Sequence, residues 1–198
     1  MTHISTRQRH DGSCRIGAIL DLKTAADVIV GGGVVVHALE GVWGLACDPF
    51  DERAVERVLR IKRRRHDKGL LVVASSASFF EEELACLTAA ARRTVIESWP
   101  GAETWVVETR RFPPWITGGR PTVAIRVPGH RQARALAGLC GGPIVSTSAN
   151  VNRFPPATTE LRARRHFQHR VDFILPGSTN NLQGPSRIRL AADGSVLR

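Results

Sequence analysis

The sequence predicts an α/β (α+β) fold, a single domain with a twisted mixed β-sheet flanked by helices. Three observations carry that expectation. Short runs of apolar, often β-branched residues alternate with amphipathic stretches of helical period. No break in composition marks a second domain after the first apolar segment. And 198 residues, 42% of them hydrophobic, suffice to bury a core without disulfide or metal staples.

Residues 1–15 are polar and aperiodic and read as a flexible N-terminal extension, leaving 16–198 as the domain. Leu22 to Val30 reads as a short helix stopped by Gly31-Gly32-Gly33, and Val34 to Val36 as a buried strand. Ala54 to Lys62 is helical, with Val55, Val58, Leu59 and Lys62 on adjoining turns. Leu70 to Ala74 is the next strand, and Ser78 to Ser98 one long helix or two, ended by Trp99-Pro100-Gly101. Thr104 to Glu108 and Thr122 to Val127 read as strands, Arg131 to Cys140 as a helix closed by Gly141-Gly142-Pro143. Ile144-Val145 is a short strand that empties into Ser146-Thr147-Ser148-Ala149-Asn150. A helix near Thr159–Phe167 and strands near Val171–Leu175 and Ile188–Leu190 complete the expectation.

Several function classes are disfavoured. No run of about 20 apolar residues occurs, so no membrane span is expected. The opening segment has no apolar core and does not read as a secretory signal. Cys14, Cys47, Cys86 and Cys140 are scattered without a C-x-x-C pair, which fits a reducing cytoplasm and neither a disulfide framework nor a zinc ribbon. His166 and His169 form an H-x-x-H pair with no second ligand pair, so a solvated helical face is the better reading, and no metal ligand is identified among the side chains. A net charge of +10 predicts polyanionic partners, nucleotide phosphates or nucleic acid. Four Trp, seven Phe and no Tyr argue against a single-strand stacking platform.

Four segments could carry chemistry. Between residues 60 and 68, six of nine positions are cationic: Arg60, Lys62, Arg63, Arg64, Arg65 and Lys68. A helix C-terminus favours two or three cations, but six repel one another unless an anion sits among them, so phosphate binding is favoured over a merely solvated helix end. Ser146–Asn150 follows a buried strand, where open α/β sheets tend to bind ligands, although turn and cap chemistry explains one or two of its residues. Arg126 lies within an apolar strand and needs a partner, either a core carboxylate or a substrate carboxylate. The triple glycine matches neither G-x-G-x-x-G nor G-x-x-x-x-G-K-[ST], so any ATP site is built differently.

Taken in order, HALEGVWGLACDP, LRIKRRRHDKGLLVVAS, WPGAETWVV, PPWITGGRPTVAIRVPGH, PIVSTSAN with FPPATT, and GPSRIRL resemble the YrdC/TsaC family over about Asp21 to Arg198. Its members are the threonylcarbamoyl-AMP synthases of transfer-RNA modification, and the short chain is similar to the TsaC branch. The resemblance implies a YrdC-like fold and a nucleotidyltransferase. Such an enzyme makes threonylcarbamoyl-adenylate and pyrophosphate from L-threonine, bicarbonate or CO2, and ATP with Mg2+. It also implies downstream modification proteins of the TsaD, TsaB and TsaE type, with tRNA or double-stranded RNA as a further ligand. By the same resemblance Lys62, Arg64 and Lys68 hold the triphosphate, the first two stabilising its charge in catalysis. Ser148, Asn150, Thr122 and Arg198 match nucleotide positions. Arg126, Ser146, Ser186 and Gly41 match the threonine end. Leu39 and Gly41 depart from the family's Y-P-T-E-T pattern, and Ala102 from its P-G-P. These departures leave two alternatives: a non-catalytic double-stranded RNA-binding or ribosome-maturation factor, and a carbamoyl-adenylate-forming enzyme with another amine acceptor. The second usually accompanies acylphosphatase and zinc-finger segments, which are missing from this sequence.

Overall fold

Runs of β-branched residues become the central strands of two sheets, and amphipathic helices cover them. The computed structural model describes residues 8–151, 154–180 and 186–197, with side chains from residue 17 onward. The chain runs α1 (Gln8–Val30), β1 (Val35–Ala38), β2 (Trp43–Ala46), α2 (Glu52–Lys62), β3 (Leu71–Val73), α3 (Glu81–Ala85), α4 (Ala89–Glu97) and β4 (Glu103–Glu108). It continues through α5 (Pro114–Thr117), β5 (Thr122–Arg126), α6 (Arg131–Leu139), β6 (Ile144–Val145), β7 (Thr147–Ser148), α7 (Glu160–Phe167), β8 (Phe173–Ile174) and β9 (Arg187–Leu190). Short 3-10 turns occupy His66–Lys68 and Ala77–Phe80.

The mixed α/β class holds, but one expected sheet is two. A four-stranded sheet has the order β7-β2-β1-β8 and a five-stranded sheet the order β6-β3-β5-β4-β9. Both mix parallel and antiparallel pairs. The segment Ile144–Ser148 joins them. β6 pairs with β3 in the larger sheet, and after Ser146 the chain pairs with β2 in the smaller one as β7.

Val58, Val72, Ile125, Val145 and Trp43 belong to the main core, whereas Ala25, Ile29, Val73, Leu136 and Ile144 form a second one where α1 and α6 pack on the sheets. α1 begins at Gln8, well before Leu22. Its exposed residues 17–20 carry no buried stripe, so periodicity could not reveal this part of the helix. The expected helix from Ser78 to Ser98 is broken between α3 and α4, where the Thr88 side chain caps α4 by accepting from Ala91 N. No helix among the described residues is long and apolar enough to cross a membrane.

Candidate active site between the two sheets

Alternation along the larger sheet creates the floor of the site. Val123 and Ile125 of β5 point into the core, so Thr122, Ala124 and Arg126 share the opposite face. The pairing register places Val106 beside Ala124, Leu190 beside Val106, and Leu71 on the other flank of Ala124. These four apolar residues are only half-buried. On the same face Thr104 Oγ1 lies 2.9 Å from Ser186 Oγ, joining the buried start of β4 to the entrance of β9.

The cationic end is built by α2. Its buried stripe of Val55, Val58 and Leu59 continues to Lys62, which is therefore carried inward and is only 4% exposed. Arg63 then adopts left-handed backbone angles, φ 50° and ψ 44°, at a cost of about 1 kcal/mol or more for a non-glycine residue. This reversal lets neighbours 62 and 64 face the same structure from different sides. Lys62 Nζ donates to Ser148 O, to Asn150 Oδ1 at 2.9 Å and to Asn150 O at 3.3 Å. Ser148 Oγ donates to the same Oδ1 at 2.8 Å, and Asn150 Nδ2 donates to Phe154 O at 2.8 Å. Burial, reinforced by repulsion from Arg64, pulls the Lys62 ammonium down to about 7. Arg64 folds back onto the loop, its Nη2 donating to Gly69 O at 3.0 Å and to Lys68 O at 3.3 Å. Lys68 itself is exposed. Gly69 has φ +60°, and a Cβ there would stand 3.1 Å from Ile116 O, so the loop lies tight against α5. Extending the β3–β5 register back by two residues puts Thr122 alongside Gly69.

At the other end of β5, Arg126 is buried and its Nε donates to Gly101 O at 2.8 Å. Its Nη2 makes a close ion pair with Glu40, which sits in the loop between β1 and β2. Glu40 Oε1 also accepts from Gly129 N at 2.6 Å and His130 N at 3.3 Å. Burial alone would raise the Glu40 carboxyl, but the Arg126 charge and these hydrogen bonds prevail and hold it below its usual range. Gly41 is next in the same turn, which is closed by Leu39 N donating to Val42 O at 3.0 Å.

Ser146 stands where the chain changes sheets. Its backbone N–H donates to Leu71 O at 2.9 Å, and its Oγ lies 3.4 Å from His37 Nε2. His37 Nδ1 is 3.2 Å from Ala38 O and so carries the proton, leaving Nε2 to accept from the serine. Fully buried, His37 is pulled down to about 4, first by burial and then by repulsion from His130.

The structure thus joins Lys62, Ser148 and Asn150 directly and sets Arg64, Lys68 and Thr122 around the turn from Arg63 to Gly69 that follows Lys62. Arg126, Ser146 and Ser186 hold the walls further along the floor, whereas Arg198 lies outside the described residues. Of the two partners open to Arg126, the core carboxylate is present: Glu40. Sequence reasoning did not assign roles to Glu40, His37, Thr104 or Gly101. The one available signal was a lone carboxylate and a lone histidine inside the apolar HALEGVWG stretch.

The model of the Sua5/YciO/YrdC family, described as telomere recombination, matches residues 27–198. A threonylcarbamoyl-AMP synthase of Nitrosococcus oceani is 42% identical over 178 residues, 89% of this chain and 96% of that one. Among solved structures, the H234A/Y235A form of P. abyssi Sua5 superposes with a TM-score of 0.84 at 29% identity, covering 89% of this chain and 55% of that one. P. abyssi Sua5 complexed with L-threonine gives a TM-score of 0.80 at 30% identity, covering 85% of this chain and half of that one. This chain therefore spans about half of the longer Sua5 protein and nearly all of the bacterial synthase. On the match over residues 27–198 and the 42% identity, the chain belongs to the Sua5/YciO/YrdC family.

Proposed function

We propose that the chain is a threonylcarbamoyl-AMP synthase, an adenylyl-transferring enzyme that acts on L-threonine, bicarbonate or CO2, and ATP. One observation carries the reading: the Lys62 amine is buried and held only by the carbonyl and amide oxygens of the Ser148–Asn150 loop, with no carboxylate partner among the described residues. A buried ammonium without a counter-charge is expensive, and it suits a site that receives a polyanion. Binding RNA on a surface would not require Lys62 to be buried. The name shared by the bacterial relatives and the threonine complex of P. abyssi Sua5 support the same reading.

In this reading the neutral amine of threonine takes up CO2, loses one proton and becomes a carbamate. A carbamate oxygen attacks the α-phosphorus, and the bond to the β,γ-pyrophosphate breaks. Lys62 and Arg64 stabilise charge on the phosphates, while Ser148, Asn150, Lys68 and Thr122 set the nucleotide. Arg126 presents its remaining Nη1 edge to the threonine carboxylate, and Ser146, Ser186 and the open backbone at Gly41 shape the wall beside it. Carbamates are weak nucleophiles, so alignment along the floor between these two ends supplies much of the rate. The ATP phosphate oxygens would carry Mg2+, which would neutralise charge on them alongside Lys62 and Arg64. The intermediate passes to proteins of the TsaD, TsaB and TsaE type for transfer to tRNA, a cytoplasmic reaction.

The test is pyrophosphate release by the purified protein with ATP, bicarbonate and Mg2+, with and without L-threonine. Release should require threonine and be absent with glycine or serine; bound ATP without release overturns the assignment. In the same assay Arg64→Ala should weaken ATP binding by about 1.5–3 kcal/mol, the worth of a charge-assisted hydrogen bond, and unchanged affinity removes Arg64 from the phosphate site.

A further inference from the structure

We infer that Glu40 is the positioning residue for Arg126, fixing the plane of its guanidinium so that one edge faces the amino-acid end of the floor. The inference rests on the proposed function, in which Arg126 takes the threonine carboxylate. Arginine has a long side chain with about 2 kcal/mol of rotamer entropy, and a bidentate contact to a carboxylate needs its planar fork held in one orientation. Arg126 is held from two separate loops. The backbone at Gly101, between α4 and β4, receives Nε at 2.8 Å, and Glu40, between β1 and β2, receives Nη2. Contacts from two different nitrogens, Nε and Nη2, fix the plane and the side edge of the guanidinium, and Nη1 is then aimed by geometry rather than by the ligand.

Glu40 is itself fixed. The same Oε1 that meets Arg126 accepts the Gly129 N–H at 2.6 Å and the His130 N–H at 3.3 Å, at the entry to α6. The residue sits in the loop joining two strands of the smaller sheet, but its side chain bonds to β5 of the larger sheet and to the entry of α6. A Cβ at Gly129 would already stand 3.4 Å from Oε1, so the carboxylate has little room to shift. Glu40 therefore relates the two walls of the site to each other, and the position of its carboxylate matters more than its charge.

Two variants separate position from charge. Glu40→Asp keeps the charge but withdraws the carboxylate by one methylene. Glu40→Gln keeps an oxygen in place and removes the charge. Steady-state pyrophosphate release gives the KM for threonine and kcat, and equilibrium binding gives the ATP Kd, with a thermal melt to establish that each variant is folded. A displacement of about 1 Å at a positioned group lowers efficiency by up to about 100-fold. Glu40→Asp should accordingly raise the threonine KM by about tenfold or more, with kcat and ATP Kd within about twofold. Glu40→Gln should stay within about threefold of the native KM, because its oxygen still fixes Arg126. An unchanged threonine KM in Glu40→Asp overturns the inference, as does a parallel loss of ATP affinity, which marks a structural ion pair. A native protein with no threonine-dependent release brings down the function and the inference together; an active native protein with an indifferent Glu40→Asp variant brings down the inference alone.

Discussion

Lys62→Met should give a folded protein that no longer forms the adenylate. Removing one preorganised donor from developing charge costs about 100- to 1000-fold in turnover, and this fall should appear in threonine-dependent pyrophosphate release. Stability should move the other way at neutral pH. The ammonium is pulled from 10.5 down to about 7 by burial and by Arg64, so the unfolded chain holds a proton that the folded protein releases between these values. Native stability should therefore rise with pH in that window, by about 2 kcal/mol between pH 7 and pH 8.5. Above that range the buried Cys47 and half-buried Cys140 thiols, which are pushed up, act in the opposite sense. In Lys62→Met the rise should disappear, since methionine fills a similar volume without a charge to desolvate. Urea denaturation across this range measures it. Nucleotide binding offers an independent readout. At pH 8 a lysine poised near 7 is mostly neutral, and an arriving triphosphate should draw about 0.9 proton onto it. Calorimetry in buffers of different ionisation enthalpy should find this uptake in the native protein and lose it in Lys62→Met. If both proteins take up the same number of protons, Lys62 does not meet the phosphates.

His37 should dominate the acid limb of stability. Its imidazole is buried and held neutral down to about 4, whereas in the unfolded chain it protonates near 6.5. Stability is thus fully present above pH 6.5, and falls by about 3 kcal/mol as the pH drops from there to 4. His37→Phe keeps a ring in the wall and cannot titrate. It should lower stability by about 1 kcal/mol above pH 6.5, because Ser146 loses its acceptor, and flatten the slope between pH 4 and 6.5, so that near pH 4 the variant becomes the more stable of the two. Glu40 also titrates in the folded protein, but its carboxyl is held below its usual range and acts only at lower pH. A native slope that survives in His37→Phe would assign the acid sensitivity to another group.

Much of this architecture is legible in the chain because its core strands run apolar, on both buried faces in β1 and even on the half-buried floor side in β5. Val72 and Val73, or Val123 to Ile125, give continuous apolar runs that no helix of similar length would need. α2 is equally plain: the stripe that buries Val55, Val58 and Leu59 also predicts where Lys62 points. The division into two sheets is not legible. It depends on Ile144–Ser148 switching partners at Ser146, an event without local signature, since either sheet satisfies the same backbone groups. β2 escaped notice because Trp43-Gly44-Leu45-Ala46 lacks both alternation and a β-branched run; its pairing with β1 makes it a strand. The partner of Arg126 lies 86 residues upstream, across both sheets. Residue type demanded a partner there but could not choose between a carboxylate of the protein and one of a substrate. The cationic run from Arg60 to Lys68 stands out in the sequence as a phosphate candidate because six like charges exceed what a helix end accommodates. Its division of labour, with Lys62 inside, Arg64 folded back and Lys68 outside, depends on the left-handed turn at Arg63, which sequence does not announce.

The shared segment between the sheets also governs how the molecule is assembled. β7 and β8 complete the smaller sheet against β2 and β1, while β6 and β9 complete the larger one against β3 and β4. All four late strands come from the last third of the chain, more than 70 residues from the strands they meet. Such distant pairings close large loops before any contact rewards them, and they slow folding. A nascent chain that has emerged only as far as α6 therefore exposes unpaired edges on both sheets, and the protein reaches its native state only after synthesis of its final strand.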